Sequence, residues 1–302
     1  GMQQRLENPW RGRGIAGLAP MPISSVSSVA ELLTHCPAHS ETPLLSLPEV
    51  ARRAGVAEVF AKDERGRMGL GSFKALGAAH AIARAAAEAV VDNDWAQALK
   101  GQVFVAASAG NHGMSVAAGA RIFGAKAKIY LAETVPEEFA QRLSGMGAEP
   151  VRAGSTYEDS MEAAERAAKQ QGWTLLSDSS WPGYTDWPLQ VMAGYVQMAD
   201  EAARQIEHPP THVLLQAGVG GLAAAVAAYV RSIWGDTPQI VVIEPKAAPA
   251  LIESILAGEV VTTKGPASAM GRLDCKTPSM VALAGLARDA DLFLTLGEAE
   301  VA

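Results

Sequence analysis

The feature that most constrains the fold is the alternation of short apolar segments with longer segments that have helical spacing. The apolar segments include "VFVAAS", "AKIYLA", "THVLLQ" and "QIVVIEP", each six or seven residues long. Continuous apolar runs of this length are typical of strands that are covered on both faces of a parallel sheet. Strands that alternate with helices form βαβ units, so the sequence predicts an α/β protein with mostly parallel sheets.

The segments between these runs carry helix start and stop signals. Thr156 opens "TYEDSMEAAERAAKQQG" as an N-cap, Asp159 follows at the capping-box position, and Gly172 ends the segment. Proline followed by two glutamates begins "PEEFAQRLSGMG", as the helix dipole favours. Residues 20–48 are rich in proline, serine and threonine and are predicted to be irregular.

Charge and cysteine content limit the classes of partner. The net charge is −7 and the basic residues form no stripe, which argues against nucleic acid or an anionic membrane as a partner. Cys36 and Cys275 lie far apart, so we expect no disulfide framework and no metal site, and a reducing cytoplasm fits. Residues 213–230 are uncharged, but Gln216 and several glycines favour a strand, a turn and a buried helix over a membrane span.

The stretch "QAGVGGLAAAV" places Gly218, Gly220 and Gly221 between a strand and a helix. Backbone N–H groups at such a helix N-terminus can bind a phosphate. The same glycines with Ala223 also match a dinucleotide fingerprint, and Glu244 ends the next strand, where a ribose-binding acid would be expected. A tight structural turn is the third interpretation.

The stretch "SAGNHG" also follows a buried strand and opens a helix. Ligands of open α/β sheets bind at this end of the strands, so Ser108, Asn111 and the N–H groups of the loop form a candidate anion site. The alternative is that Asn111 caps the helix and that His112 lies on the helix surface.

Two ionisable residues are candidate catalysts. Lys74 in "GLGSFKALG" opens an otherwise apolar helix, and a buried lysine loses proton affinity and can form a Schiff base with a carbonyl. The alternative interpretation of Lys74 is a surface lysine whose ammonium group extends into water. Asp178 ends the strand "WTLLSD" and could be a general acid or base, or a loop residue. A nucleophilic amine with a phosphate site indicates pyridoxal phosphate, whereas a nicotinamide would leave Lys74 and "SAGNHG" unused.

The order of "GSFKALG", "SAGNHG" and "QAGVGGL" resembles the fold type II, tryptophan synthase β-like pyridoxal-phosphate enzymes. Within that group, "KDERGRMGLGSFKALG", "DSSWPGYTDWPLQVMAGY" and "AMGRLDCKTPS" look like the diaminopropionate ammonia-lyases, and the likeness runs from about Thr42 to the end of the chain. The resemblance implies two α/β domains, each an open and mostly parallel sheet with flanking helices. We expect a large cofactor-binding domain from residues 1–68 and 184–302, continuing beyond residue 302, and a small domain from residues 69–183.

The resemblance also implies roles for individual residues. Lys74 and Asp178 would be the catalytic residues. The cofactor would be held by Phe73, Lys74, Asn111, Gly218, Val219, Gly220, Gly221, Leu222, Met270 and Gly271. The substrate carboxylate would be received by Ser108, Ala109, Gly110 and His112. The group that faces the pyridine nitrogen would come from beyond residue 302.

The expected reaction is elimination of the β-amino group of 2,3-diaminopropionate to give pyruvate and ammonia. The resemblance implies an aspartate for the D-isomer at position 109, and this chain has alanine there, so the L-isomer is the expected substrate. A serine/threonine dehydratase-like lyase is the alternative within the family. A dinucleotide-binding oxidoreductase and a catalytically degenerate binding protein are alternatives of other classes. A homodimer in the cytoplasm is what the resemblance implies.

Overall fold

The structure is a computed structural model that describes residues 4–20, 25–264 and 276–297. The chain divides into two compact units. The terminal unit contains residues 1–24, 178–199 and 208–302, and the central unit contains residues 25–177 and 200–207. The division into a large domain of residues 1–68 and 184–302 and a small domain of residues 69–183 stays a prediction.

The central unit is built on a four-stranded parallel sheet and a two-stranded antiparallel one. The order of the large sheet is β6-β5-β4-β7, and β2 pairs with β3 in the small sheet. The strands are β2 Leu44–Ser46, β3 Phe60–Lys62, β4 Val103–Ala107, β5 Lys126–Leu131, β6 Glu149–Arg152 and β7 Thr174–Leu175. The helices are α1 Val26–Leu33, α2 Pro48–Ala54, α3 Lys74–Ala89, α4 Asn111–Ile122, α5 Glu137–Gly145 and α6 Tyr157–Gln171.

The terminal unit has its own four-stranded sheet, in the order β1-β10-β9-β8. Three of its strands run parallel, and the short first strand pairs antiparallel with β10. The strands are β1 Arg5–Glu7, β8 His212–Gln216, β9 Gln239–Pro245 and β10 Leu292–Leu296. The helices are α7 Asp186–Gln205, α8 Gly221–Trp234, α9 Ala250–Ala257 and α10 Met280–Asp289, of which α7 ends in residues assigned to the central unit.

These sheets confirm the predicted fold class, because both units have mostly parallel sheets with flanking helices. The local signals at α6 are confirmed in detail. The Asp159 N–H donates to Thr156 Oγ1 at 3.1 Å, the Asp159 carboxylate accepts from the Thr156 N–H, and Gly172 ends the helix with φ of +70°. Residues 213–230 form β8, a turn and α8 as predicted. No helix in the described ranges is long and apolar enough to span a membrane.

The prediction for residues 20–48 is wrong, whereas the strand predicted in "WTLLSD" is present as β7 but shorter than expected. Residues 20–48 were expected to be irregular, yet they contain α1 and β2. The apolar positions of α1, Val29 and Leu33, are one helical turn apart and buried, and this spacing outweighs the serines around them. The strand expected in "WTLLSD" has only two paired residues, because β7 meets its neighbour β4 at Phe104 and Val105 alone.

Small residues let the helices approach closely around each sheet. In the central unit, α3 and α4 pack together, and a Cβ built on Gly119 would lie 2.9 Å from Ile82 Cδ1. In the terminal unit, α8 and α10 pack together, and a Cβ on Gly285 would lie 3.6 Å from the Ala224 Cβ. The alanine-rich helices are therefore close-packed core elements, and their N-termini bring the candidate site residues to the ends of the strands.

Candidate active site

Lys74 is the first residue of α3, directly after a loop that is rich in glycine. Its backbone N–H donates to Ser72 Oγ at 3.2 Å, and Phe73 is the N-cap residue in helical conformation. Ala75 and Leu76 are buried, whereas Phe73 and Lys74 are half-buried. The apolar helix predicted after Lys74 is confirmed, and the Lys74 side chain lies at the edge of that core.

The loop "SAGNHG" is ordered by its own serine. Ser108 Oγ accepts the N–H groups of Gly110 at 3.2 Å and Gly113 at 3.0 Å. A Cβ built on Gly113 would lie only 2.9 Å from the Ser108 carbonyl oxygen and 3.2 Å from Ile129 Cγ2. A side chain at position 113 would therefore force the loop or α4 to shift, and Ser108 holds the loop against the start of α4.

Asn111 is the first residue of α4 and only 5% exposed. Its Nδ2 has no hydrogen-bond partner among the residues that the structure describes. The N-cap is Gly110, so the interpretation of Asn111 as a helix cap is wrong. A buried side-chain NH2 group without a partner has lost its hydrogen bonds to water. A bound group that accepts a hydrogen bond from it compensates for this loss.

His112 is buried, so the expectation that it lies on the helix surface is wrong. Its Nε2 lies 2.9 Å from the Leu176 carbonyl oxygen and donates to it. This bond joins α4 to the segment that follows β7. The role of His112 in substrate binding stays a prediction.

The glycine loop of the terminal unit connects β8 to the N-terminus of α8. Gly220 is its N-cap with φ of +101°, and a Cβ there would lie 3.2 Å from the Ala282 Cβ. The Val219 carbonyl accepts the Ser279 N–H at 2.9 Å, so the start of α10 holds the loop. The first N–H groups of a helix have no partner within it, and the dipole makes this end positive. Residues 218–222, with Gly221 and Leu222 buried, thus offer donors for an anion.

Asp178 lies beside this glycine loop. A Cβ built on Gly221 would lie 3.9 Å from the Asp178 carbonyl oxygen, 3.6 Å from Tyr195 Cε2 and 3.4 Å from Met192 Cγ. Asp178 is half-buried and Tyr195 is buried. Burial raises the pKa of Tyr195 well above its usual value, and the negative charge of Asp178 raises it further. A carboxylate and a neutral phenol therefore accompany the predicted phosphate loop.

Tyr195 and two buried serines also lie in this region, and none of them was predicted as a site residue. The hydroxyls of Ser180 and Ser279 are hydrogen-bonded to each other, and Ser180 Oγ accepts the Val281 N–H at 3.1 Å. Ser279 Oγ also caps α10 by accepting the Ala282 N–H. The local signal for Ser279 was its place before an apolar helical segment, whereas Tyr195 carried no signal beyond its apolar spacing in α7.

Glu244 caps a helix. Its carboxylate oxygens accept the N–H groups of Leu251 at 2.9 Å and Ile252 at 2.8 Å, at the start of α9. Burial raises its pKa to about 7, against the lowering effect of these two bonds. Both oxygens already bind the backbone and Glu244 is only 2% exposed, so its carboxylate is poorly placed to bind a ribose, which weakens the dinucleotide interpretation.

The site residues fall into two sets, which lie in different units. The central unit contains Phe73, Lys74, Ser108, Ala109, Gly110, Asn111 and His112. The terminal unit contains Asp178, Gly218, Val219, Gly220, Gly221 and Leu222. The predicted cofactor contacts Met270 and Gly271 lie outside the described residues, as does Cys275.

Comparison with known proteins decides the family. Residues 36–302 match the family described as "Pyridoxal-phosphate dependent enzyme". The chain belongs to this family. The resemblance of the motifs to fold type II pyridoxal-phosphate enzymes is thereby confirmed, and so is the predicted cofactor.

Individual family members are similar over most of the chain. The diaminopropionate ammonia-lyase of Escherichia coli strain K12 is 35% identical over 253 residues, which are 79% of this chain and 63% of that protein. The chain thus spans less than two-thirds of this relative. The human serine dehydratase-like protein is 31% identical over 256 residues, 84% of this chain and 71% of that protein.

A solved structure of the E. coli diaminopropionate ammonia-lyase, in complex with an aminoacrylate–PLP azomethine reaction intermediate, has the same fold. It superposes with a TM-score of 0.85 at 29% identity and covers 98% of this chain and 77% of that one. The two-unit α/β architecture is therefore that of the pyridoxal-phosphate family.

The residues present fit the cofactor of this family. Pyridoxal phosphate needs an amine for its aldehyde, donors for its phosphate and a donor for its ring hydroxyl oxygen. Lys74 carries an amine, the helix N-terminus at Gly220 and Gly221 has N–H groups of the kind that a phosphate requires, and the buried Nδ2 of Asn111 is a donor without a partner in the described chain.

Proposed function

We propose that this chain has the activity of a pyridoxal-phosphate-dependent ammonia-lyase that removes the β-amino group of L-2,3-diaminopropionate. The observation that carries the proposal is the position of Asp178, a half-buried residue whose carbonyl oxygen lies beside Gly221 and whose negative charge acts on the buried Tyr195. The E. coli lyase at 35% identity supports the substrate class. The products are pyruvate and ammonia.

Each set contains residues that would bind the cofactor. In the central unit, the Lys74 amine would hold its aldehyde, Phe73 would lie against the ring, and Asn111 Nδ2 would donate to the ring hydroxyl oxygen. In the terminal unit, the N–H groups of residues 218–222 would bind the phosphate. When bound, pyridoxal phosphate supplies an electron sink that acidifies the α-carbon of an amino acid.

Proton transfers fall to two side chains. Lys74 or Asp178 removes the proton from the substrate α-carbon, and Asp178 protonates the β-amino group as it leaves. A positioned acid or base of this kind contributes about 10²- to 10⁴-fold to the rate. Tyr195 stays neutral because of its raised pKa, and it therefore adds no second negative charge beside Asp178.

The loop after β4 receives the substrate carboxylate. Ser108 Oγ already accepts the N–H groups of Gly110 and Gly113, so its part is to hold the loop in shape, and these two N–H groups are engaged by Ser108 instead of the carboxylate. Ala109 is exposed at the tip and has no group that can transfer a proton. This is the basis for proposing the L-isomer over the D-isomer.

The test is release of ammonia and pyruvate by the purified protein with each diaminopropionate isomer, L-serine and L-threonine. The proposal expects turnover of the L-diamine above the other three substrates. Asp178→Asn should lower that turnover about 10²- to 10⁴-fold with the cofactor still bound. Unchanged turnover in Asp178→Asn would show that Asp178 is not the proton-transferring residue. Turnover in Lys74→Ala equal to that of wild type would overturn the proposal.

A serine/threonine dehydratase-like lyase is the second candidate. It is favoured by the similarity to the human serine dehydratase-like protein, and it needs the same amine and anion loops. The distinction is the leaving group, which is hydroxide instead of ammonia. Faster turnover of L-serine or L-threonine than of the L-diamine would select this candidate.

We also propose a cytoplasmic homodimer, in which residues 1–68 and 184–302 form the large cofactor-binding domain and residues 69–183 the small one. Light scattering of the purified protein tests the dimer. Limited proteolysis tests the domain limits, since cleavage is expected near residues 69 and 183 first.

A further inference from the structure

A buried charge cluster holds the start of the loop that carries Lys74. Its members are Lys62, Glu64, Arg67 and Glu201, and all of them belong to the central unit. The side chains of Arg67 and Glu201 are fully buried, and those of Lys62 and Glu64 are nearly so. Two cations face two carboxylates, so the charges of the cluster balance. None of these residues has a part in the proposed reaction.

All three guanidinium nitrogens of Arg67 are engaged. Nε and Nη2 donate to the two oxygens of Glu64 at 2.9 and 3.0 Å. Nη1 and Nη2 donate to the two oxygens of Glu201 at 3.0 and 2.8 Å. Nη1 also donates to the Ser40 carbonyl, and Nη2 to the Thr42 hydroxyl. A planar donor group bound on several sides cannot shift or rotate without breaking several bonds.

The backbone between Arg67 and Lys74 needs such an anchor. Met68 has φ of +51°, in the left-handed region that residues with a Cβ rarely adopt. Gly69 and Gly71 follow with φ of +69° and +79°. The Leu70 N–H donates to the Arg67 carbonyl at 2.9 Å and closes the turn. A non-glycine residue in this conformation persists when its surroundings determine it.

We propose that Arg67 is a positioning residue, which fixes the Lys74 loop so that the lysine amine is held where it bonds to the cofactor. The inference rests on the proposed role of Lys74. Arg67 acts through the backbone of residues 68–73 and touches neither cofactor nor substrate.

Lys62 is a matched control within the same cluster. Its Nζ donates to the same Glu201 Oε1 at 2.9 Å and to Gln205 Oε1 at 2.9 Å. Lys62 ends β3, before the loop begins. Loss of either cation leaves Glu201 without one of its partners, but only loss of Arg67 releases the turn at Met68.

The experiment measures covalent trapping of pyridoxal phosphate on Lys74 by borohydride, with the labelled peptide quantified by mass spectrometry, together with the cofactor dissociation constant. Arg67→Lys keeps the positive charge and loses the planar guanidinium group. Its trapping rate should fall about 10- to 100-fold, because a misplacement of about 1 Å has an effect of that size. In Lys62→Met, Lys74 should be labelled at close to the wild-type rate. This should hold even if Lys62→Met lowers the unfolding temperature as much as Arg67→Lys does.

The outcomes separate the two proposals. If wild type does not label Lys74, the proposed role of Lys74 fails, and the inference about Arg67 fails with it. If wild type labels Lys74 and Arg67→Lys labels it equally fast, the inference alone is overturned. Equal losses in Arg67→Lys and Lys62→Met also overturn it, because the cluster is then only structural. If circular dichroism shows that Arg67→Lys is unfolded, the charge-balanced double variant Arg67→Gln with Glu201→Gln provides the same comparison.

Discussion

Arg67 and Glu201 are 134 residues apart in the chain and form a two-bond ion pair in which both side chains are fully buried. Glu201 also accepts the Thr42 N–H and the Lys62 ammonium. The C-terminal turns of α7 are thereby tied to β3 and to the loop that carries Lys74.

Glu201→Ala is expected to lower the free energy of unfolding by about 3–5 kcal/mol, because it leaves the two buried cations Arg67 and Lys62 with Glu64 as the one remaining carboxylate of the cluster. Urea denaturation followed by circular dichroism measures the effect. The matched control is Glu49→Ala, which breaks the exposed pair with Arg52, where the side chains are 64% and 73% exposed. That change should cost at most about 1 kcal/mol. Equal losses in the two variants would contradict a special role for the buried pair.

Glu244 is expected to make stability depend on pH. Its pKa rises from 4.5 to about 7 on folding, because burial disfavours the carboxylate. Between these values the folded state keeps a proton that the unfolded chain has released, so the free energy of unfolding falls as pH rises through this window. Glu244→Gln is neutral throughout and should flatten the slope between pH 5 and pH 8. Urea titrations of both proteins at several pH values measure it, and identical slopes would refute the assignment.

Gly113→Ala is expected to disturb the loop after β4. The added Cβ would lie 2.9 Å from the Ser108 carbonyl oxygen, so the loop or α4 has to shift. Overpacking of this kind costs about 1–3 kcal/mol, visible in thermal unfolding. Gly145→Ala is the control, because a Cβ there meets nothing within 4 Å at the end of α5. It should leave stability unchanged or raise it by up to about 1 kcal/mol. A neutral Gly113→Ala would show that the loop tolerates the shift.

Asn111→Ala is expected to separate cofactor binding from stability. The buried Nδ2 has no partner in the described chain, so its removal should change the unfolding of the apoprotein little. A hydrogen bond to the cofactor is worth about 0.5–1.5 kcal/mol, and its loss should weaken binding about 2- to 13-fold. Fluorescence titration with pyridoxal phosphate measures the affinity. An unchanged dissociation constant would mean that Asn111 does not contact the cofactor.

Much of the fold was predictable because its signals are local. The capping box of Thr156 and Asp159 acts within one helical turn, and the glycines at 218–221 mark a strand-to-helix turn by their lack of a Cβ. The N-terminal elements were harder to predict. The strand β1 pairs with β10 near the other end of the described chain, so nothing in its neighbours indicates it.

Individual roles at the site were less predictable. Glu244 matched a dinucleotide pattern by its distance along the chain, and the structure gives it the N–H groups of α9 instead. A position on the helix surface was one of the two interpretations of His112, since one histidine in a helix carries no information about which face is buried. Its bond to the Leu176 carbonyl depends on how α4 packs against the end of β7.

The sequence by itself determined the α/β class, the parallel strands, the helix boundaries with capping signals and the two glycine-containing loops that precede helices. Each of these depends on spacing or backbone freedom within a few residues. Only the tertiary structure decided that Asp178 and Tyr195 lie beside Gly221, that Ser180 meets Ser279, and that Glu201 pairs with Arg67. These contacts join residues that are distant in the chain. They form because the packing of helices on sheets buries polar groups, and buried polar groups have to find partners.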